Sequence, residues 1–442
     1  MHMLRLSLLL LPLLTQIQCL TPTTEYARVA PGLWRGVIEL DTYRVQVQDK
    51  DSVFILYDQF KEGDLPFNFE VVYLDGERMV FDFINGQERI RCDSIQYGRD
   101  RSQARDTFNI FFPEYQAYLH AEVRGGAMRG YWELTTRKDY RLPFKATAGR
   151  AYRFTALNKP PAADLSGTWA THFGLEKDAP PSRALGEFKQ TGNRMEGTFR
   201  TETGDYGFLE GTVQGDRFWM SSFDGSHAYL FSGAIDGDTL LGEFRSGIHL
   251  RSLWKAWKDP AFTLRHPDSL TALVPGAPPL SFQCLTPEGD TVRHPDPAYT
   301  DKVNIITISG TWCPNCKDEL VFLRDFMQAH PDLAANMRVV SLSFERGTDP
   351  TTIQRHLQRY RQKLDLPFPV VYAGPADAAS ASKVFPQLNQ VMAFPTMMVL
   401  DRNNQVHKIH TGFDGPATSR YEAFRSDFER TIRGLVGAKA VN

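Results

Sequence analysis

The stretch that most narrows what this chain can become is Val303-Asn-Ile-Ile-Thr-Ile-Ser-Gly-Thr-Trp-Cys-Pro-Asn-Cys316, continuing as Lys317-Asp-Glu-Leu-Val-Phe-Leu-Arg-Asp-Phe326. Its opening is an apolar, β-branched run of the length expected for a strand buried on both faces. Leu320, Leu323 and Phe326 then recur at helical spacing. A Ser-Gly-Thr turn between the two delivers Cys313 and Cys316 to the first turn of the helix. Pro314 suits that turn, where an N–H has no intrahelical partner. Cysteines three apart share a helix face, so their sulfurs are within bonding reach.

A helix N-terminus also stabilises negative charge through its unpaired N–H groups and its dipole. A thiolate is favoured there, and the thiolate is the species that attacks a disulfide. Half of a zinc site is the competing use of such a pair. It requires two more ligands, and no second Cys pair or Cys/His pair stands at ligand spacing. His407 and His410 fall on opposite faces of a strand and form no metal pair. The pattern therefore predicts thiol–disulfide exchange with no metal and no cofactor.

At 442 residues the chain exceeds one ordinary domain. Its hydrophobic content of 42% and charged content of 23% describe a globular protein, and a net charge of −2 gives no reason to expect nucleic acid as a partner. The basic run Arg355-His-Leu-Gln-Arg-Tyr-Arg-Gln-Lys363 reads as the solvated face of a helix whose apolar face is Ile353, Leu357, Tyr360 and Leu364. Five cysteines are too few for a disulfide scaffold. Cys92 and Cys284 read as free thiols, with a bridge between them left open.

Residues 1–19 read as a secretory signal: a weakly basic start, then an apolar segment too short to span a bilayer. The arrangement around Cys19 resembles a bacterial lipoprotein signal. Gln16 and Gln18 stand where such signals carry small residues, so anchoring through Cys19 stays open while export is expected. Membrane contact is expected only through that anchor.

Residues 25–158 and 164–265 read as two antiparallel β domains. In the first, Tyr43–Val47, Ser52–Tyr57, Phe69–Tyr73 and Met79–Ile84 are strand-like, with Asp75-Gly76 and Asn85-Gly86 as turns. The second repeats an apolar–x–Gly–x–apolar pattern, as at Leu209-Glu-Gly-Thr-Val213, which predicts a meander with close strand contacts. Two related barrels or sandwiches are expected. Trp34, Trp169, Trp219, Trp254 and Trp257 are read first as core and second as a binding cleft.

From 270 to 442 helices and strands alternate, giving an α/β layer with a parallel centre and an antiparallel edge. Ser419-Arg-Tyr-Glu422 reads as a capping box opening the last helix. Gly310-Thr-Trp-Cys-Pro-Asn-Cys316, Ala393-Phe-Pro-Thr396 and the order of elements together resemble the thioredoxin fold in its exported TlpA/ResA-like branch. That branch overlaps the alkyl hydroperoxide reductase and thiol-specific antioxidant proteins. The β half resembles no named family.

The resemblance implies that Cys313 attacks, that Cys316 resolves the mixed disulfide, and that Trp312 offers apolar contact. It implies a cis Pro395, with Phe394 backbone groups beside the cysteines for a substrate chain to pair with. Thr307 stands where thioredoxins carry a buried acid, and Glu345 is the candidate substitute, emerging at the same sheet edge as the cysteines. Lys317 adds positive charge nearby.

The function expected is an exported disulfide reductase of the periplasm or cell envelope. Its implied partners are disulfide-containing exported proteins and a membrane electron donor. Two alternatives differ in class. A peroxide reductase places Thr and Pro where Gly310 and Ile306 stand here. An envelope binding protein would use the β domains for recognition, with the redox domain accessory.

Overall fold

The structure is a computed structural model that describes residues 29–41, 61–76, 78–100 and 105–437. The leader with Cys19 and the expected strands at Tyr43–Val47 and Ser52–Tyr57 lie outside the described residues. Nine antiparallel strands, from Gly32–Glu39 to Arg141–Ala148, form the first sheet. Its two outermost strands, Glu88–Cys92 and Ile95–Asp100, are consecutive in the chain. Only Asp93 and Ser94 join them, so the sheet has to curl until its edges approach. Both edges meet near Phe111, whose N–H donates to the Ser94 carbonyl at 2.9 Å while the Cys92 sulfur lies 3.2 Å from its carbonyl. Alternation fills the interior: Ala117, Leu119, Ala121 and Val123 of one strand are buried and their neighbours are not. Phe67, Phe69, Phe81, Phe83, Phe108 and Phe112 form the centre of that core.

Eight further strands, from Gly167–Phe173 to Leu250–Trp257, each pair with the next, and the last pairs with the first to close a barrel. Closure removes the sheet edges. The glycine punctuation has a steric cause: a Cβ on Gly211 would lie 2.0 Å from the Trp219 carbonyl oxygen. Phe173, Phe199, Phe231, Phe244 and Trp254 pack the barrel interior. Trp34, Trp169 and Trp254 are buried core residues, whereas Trp219 and Trp257 are half-buried.

The barrel and the first sheet share a core, because Phe223, Ala228 and Leu230 of the barrel pack among the first sheet's aromatics. Arg153 ties them together. Its guanidinium donates to the Ile84 carbonyl (2.9 Å), the Asn85 side chain (3.1 Å), and both the hydroxyl (2.9 Å) and carbonyl (3.1 Å) of Ser221. Glu210 lies 3.5 Å away. Burial pulls this guanidinium down to about 10 despite Glu210.

The C-terminal sheet has seven strands. Val303–Ser309 lies parallel to Met337–Glu345, which lies parallel to Val370–Pro375. Thr396–Leu400 and Val406–Thr411 form the antiparallel edge expected from sequence. Phe282–Leu285 and Thr291–His294 form a second antiparallel edge beyond Val370–Pro375. These strands have four residues each, too few to show a period in sequence. Helices Pro314–Ala329, Pro350–Lys363 and Tyr421–Gly437 contribute to the core on one face, and Ala378–Val384 to the core on the other. The C-terminal portion therefore has a thioredoxin-like fold, behind an all-β N-terminal half.

Three sequence expectations need correction or completion here. Ser419 does not form a capping box. Its N–H and hydroxyl donate to Glu187 of the barrel at 2.8 and 3.1 Å, while Glu422 pairs with Arg425. An interaction between domains has taken the place of a local one. Cys92 and Cys284 are both free, and burial pushes their thiols up to about 12 and about 11. His356, inside the supposedly solvated basic run, is buried, whereas Arg355 and Arg359 are exposed.

Replacing Arg153 with Met removes a buried cation and leaves the Asn85, Ser221 and Ile84 acceptors without their donor. The expected loss is on the order of 3–5 kcal/mol. It is measured as a lowered urea midpoint followed by near-ultraviolet circular dichroism. A surface change such as Arg217→Met is expected to leave that midpoint within about 0.5 kcal/mol.

Candidate active site

Cys313 is the N-cap of the Pro314–Ala329 helix, with φ −107° and ψ 115°. Its sulfur accepts the Cys316 N–H at 3.2 Å, filling with sulfur the place a capping oxygen usually takes. Cys313 and Cys316 are joined as a disulfide with Cα atoms 5.2 Å apart. Cys313 is 5% exposed and Cys316 fully buried, so the two sulfurs are unequal in access. Reduction would leave Cys313 over the backbone donors of the helix terminus, where a thiolate is stabilised.

Trp312, Phe394 and Pro395 converge on this pair. The Trp312 indole donates to the Phe344 carbonyl at 2.8 Å, and its ring meets Phe394 edge-on at 5.4 Å. The Phe394–Pro395 bond is cis, and the Phe394 carbonyl oxygen lies 3.5 Å from the Cys313 sulfur. The Pro395 carbonyl accepts the Gly412 N–H.

Glu345 ends its strand inside the protein, 4% exposed. It accepts the Thr311 N–H (2.9 Å), the Thr311 hydroxyl (2.6 Å) and the Ser343 hydroxyl (2.5 Å). Burial raises its pKa, against those hydrogen bonds. The His356 ring lies 2.9 Å from the same Thr311 hydroxyl, and burial pushes that imidazole down to about 4. Glu345 therefore anchors the turn that presents Trp312 and Cys313.

Glu319 is a second acid, which sequence reasoning passed over. It stands three residues beyond Cys316, on the same helix face, and is fully buried. Neither carboxyl oxygen has a hydrogen-bond partner in the described structure, and burial holds the group well above the usual carboxylate range. The signal was available: an acid interrupts the apolar stripe of Cys316, Leu320 and Leu323 one turn below the motif. Thr307, also fully buried, occupies the strand position expected to lack an acid, and its hydroxyl has no partner.

Lys317 is half-buried, with its ammonium 5.4 Å from the centre of the Tyr115 ring. His410 is buried against Asp268 at 2.7 Å, and His407 is exposed. Among the described residues no cluster of His, Cys, Asp and Glu could hold a metal ion.

The β half covers the cysteine motif, which the sequence did not indicate. A His227 ring nitrogen lies 3.2 Å from the Trp312 carbonyl oxygen, and the other pairs with Asp224 at 2.8 Å. Although burial works against it, His227 and its neighbours hold Asp224 down at about 2. Asp205 of the barrel accepts the Gly415 N–H at 2.7 Å. Close approach requires glycine at 412, where φ is +81° and a Cβ would lie 2.7 Å from the Thr203 carbonyl carbon. Between the three sheets a chamber of about 230 Å³ remains, with Cys313, Trp312 and Glu345 in its floor and wall.

A cysteine pair capping a helix, faced by an X-Pro carbonyl on a thioredoxin-like sheet, defines a thioredoxin-fold thiol–disulfide oxidoreductase domain. Residues 275–424 match the family model for Redoxin, and the β half matches no family. No curated protein sequence matches the chain. Solved structures similar to its C-terminal part include a thioredoxin-family thiol:disulfide interchange protein from Chlorobium tepidum TLS. It is 18% identical with a TM-score of 0.28, over 36% of this chain and 99% of that one. StoA from Bacillus subtilis is 21% identical with a TM-score of 0.25, over 34% and 97%. A DsbF homologue from Corynebacterium diphtheriae is 17% identical with a TM-score of 0.29, over 39% and 99%.

The buried Glu319 makes stability depend on pH in a defined direction. Its pKa is raised on folding, so between about 4.5 and the folded value the native state binds more protons than the unfolded state. This contribution falls as pH rises through that window. Glu319→Gln in the oxidised protein is therefore expected to be more stable than wild type at pH 8, with the advantage vanishing towards pH 4. Urea midpoints at the two pH values measure it, and an advantage independent of pH would contradict the assignment.

Proposed function

We propose that this protein is an exported disulfide reductase working through the Cys313/Cys316 dithiol. The observation that carries the reading is the Cys313 sulfur at the helix N-terminus, bonded to the Cys316 N–H and 3.5 Å from the Phe394 carbonyl oxygen. The Cys313 thiolate attacks one sulfur of the substrate disulfide, the substrate S–S bond breaks, and one thiolate leaves and takes up a proton. Cys316 loses its proton and attacks the Cys313 sulfur, closing the disulfide and releasing the second thiolate. Two electrons pass from the dithiol to the substrate, and an external dithiol donor restores the reduced pair.

We assign the Cys316 proton to the ionised form of Glu319, on the same helix face with both oxygens unengaged and a raised pKa that brings it closer to a thiol's. Glu345 holds the Thr311–Cys313 turn in place. Trp312 and Phe394 provide the contact surface beside Cys313, with Pro395 setting the Phe394 carbonyl. The leader at 1–19 supports a site of action in the periplasm or cell envelope, with Cys19 as the candidate lipid anchor. Among the described residues no helix is long and apolar enough to cross a membrane. The proposed partners are disulfides of exported proteins and a membrane electron donor.

Cys313→Ser is expected to abolish reduction of insulin disulfides with dithiothreitol as donor, with the circular dichroism spectrum unchanged. Cys316→Ser, pre-reduced and freed of dithiothreitol, is expected to stop one step later, accumulating a mixed disulfide at Cys313 detectable by mass spectrometry. Full turnover by Cys313→Ser would reject the reading.

A further inference from the structure

The chamber over Cys313 is unbalanced in charge. Arg137, from the loop joining Ala127–Leu134 to Arg141–Ala148, and Arg346, the residue after Glu345, both line it. Neither has a carboxylate within ion-pair distance among the described residues. Each guanidinium lies instead over a ring, Arg346 at 4.8 Å from the centre of Trp312 and Arg137 at 5.9 Å from Tyr140. Burial, and then Arg137 itself, pull the Arg346 guanidinium below its ordinary value, against Glu345 and Tyr229, so the two cations feel each other. The one carboxyl among the described lining residues is Glu345, whose oxygens are taken by Thr311 and Ser343. Tyr115, on the same wall, has a buried hydroxyl with no partner.

Two guanidiniums outside ion-pair distance of any described carboxylate, each planar and fork-shaped, are donors suited to carboxylates. They come from different halves of the molecule and line the same chamber as Cys313. The arrangement therefore exists only when the β half is docked.

We propose that the chamber selects disulfides flanked by carboxylates, with Arg137 of the β half and Arg346 of the redox domain as the specificity residues. This rests on the thiol–disulfide reading above and names its substrate class. The carboxylates bind the two guanidiniums, and the adjoining S–S bond is presented to Cys313. The chemical step is the exchange already written: one substrate S–S bond breaks, one Cys313–S bond forms, and the leaving thiolate takes up a proton. The carboxylates can belong to a small free disulfide or to an acidic peptide segment.

The test uses the full chain, pre-reduced with dithiothreitol and freed of it. Oxidation of the protein is followed by stopped flow with 3,3′-dithiodipropionate (dianionic), 2-hydroxyethyl disulfide (neutral) and cystamine (dicationic). A second series uses short unstructured peptide disulfides flanked by Glu, Gln or Lys. Every rate is divided by the rate of the same disulfide with free dithiothreitol. A cleft of one charge sign raises association about 10–10³-fold, so a normalised preference of at least about tenfold for the anionic over the neutral member is expected. Cystamine should be slowest, and added KCl should shrink the spread. The series showing the preference identifies the source of the carboxylates. Arg137→Gln and Arg346→Gln should each reduce the ratio, and together bring it near one. Ratios near one in both wild-type series, or a ratio that survives the double variant, would overturn the proposal while leaving the dithiol chemistry intact. If no disulfide oxidises the protein, the thiol–disulfide reading falls and this one with it.

Discussion

The first turn of the Pro314–Ala329 helix carries two demands at once. Its free N–H groups have to be satisfied, and a sulfur has to be held where losing a proton is easy. Placing Cys313 at the N-cap meets both, since the sulfur that accepts the Cys316 N–H is also the one proposed to attack. Everything nearby keeps that turn in place. Glu345 holds Thr311 by backbone and side chain, Phe344 receives the Trp312 indole, and His227 approaches the Trp312 carbonyl from the barrel. The helix cannot present its cysteine differently without breaking contacts in two sheets.

Burial then divides the labour among acids. Carboxyls in a low-dielectric interior keep their protons unless a partner stabilises the charge. Glu319 has no partner and stays high, whereas Asp224 has His227 and stays low. At the docking surface, burial raises Asp318 to about 7, against Lys317, and Asp205 to about 6, against its backbone hydrogen bonds. Both are raised on folding, so their contribution to stability declines as pH climbs from the ordinary aspartate range through 6 and 7. Asp224, held low by His227, contributes in the opposite sense, its stabilisation being lost only as pH falls toward 2.

The parallel centre and the cysteine turn were legible in sequence because each is local, whereas the facing Phe394-Pro395, 81 residues from Cys313, came only from the family resemblance. A strand, a turn and a helix in succession leave few alternatives, and periodicity identifies them. The β meander was legible for the same reason, since each strand pairs with its sequence neighbour. What escaped notice depends on separation. Ser419 looks like a cap until Glu187, 232 residues earlier, takes its hydroxyl. His356 looks solvated until Thr311 meets it from another element. Glu319 was the exception, a local feature missed because an acid near a helix start is normally read as a dipole partner rather than a buried group.

The β half acquires its meaning from where it stops. Its barrel is packed with Phe173, Phe199, Phe231, Phe244 and Trp254, so recognition inside it has no room. Its first sheet is packed just as fully. What these bodies offer is their outer surface, and the part nearest the cysteine carries Tyr115, Arg137, His227 and His249. His249 is pushed down to about 4, by burial first and then by Arg137 and Arg346, so it adds hydrogen-bonding capacity without adding charge near neutral pH. A thioredoxin-like sheet alone presents its cysteine on an open face. Here more than two hundred residues of β structure reduce that face to a small chamber whose fixed charge comes from both halves.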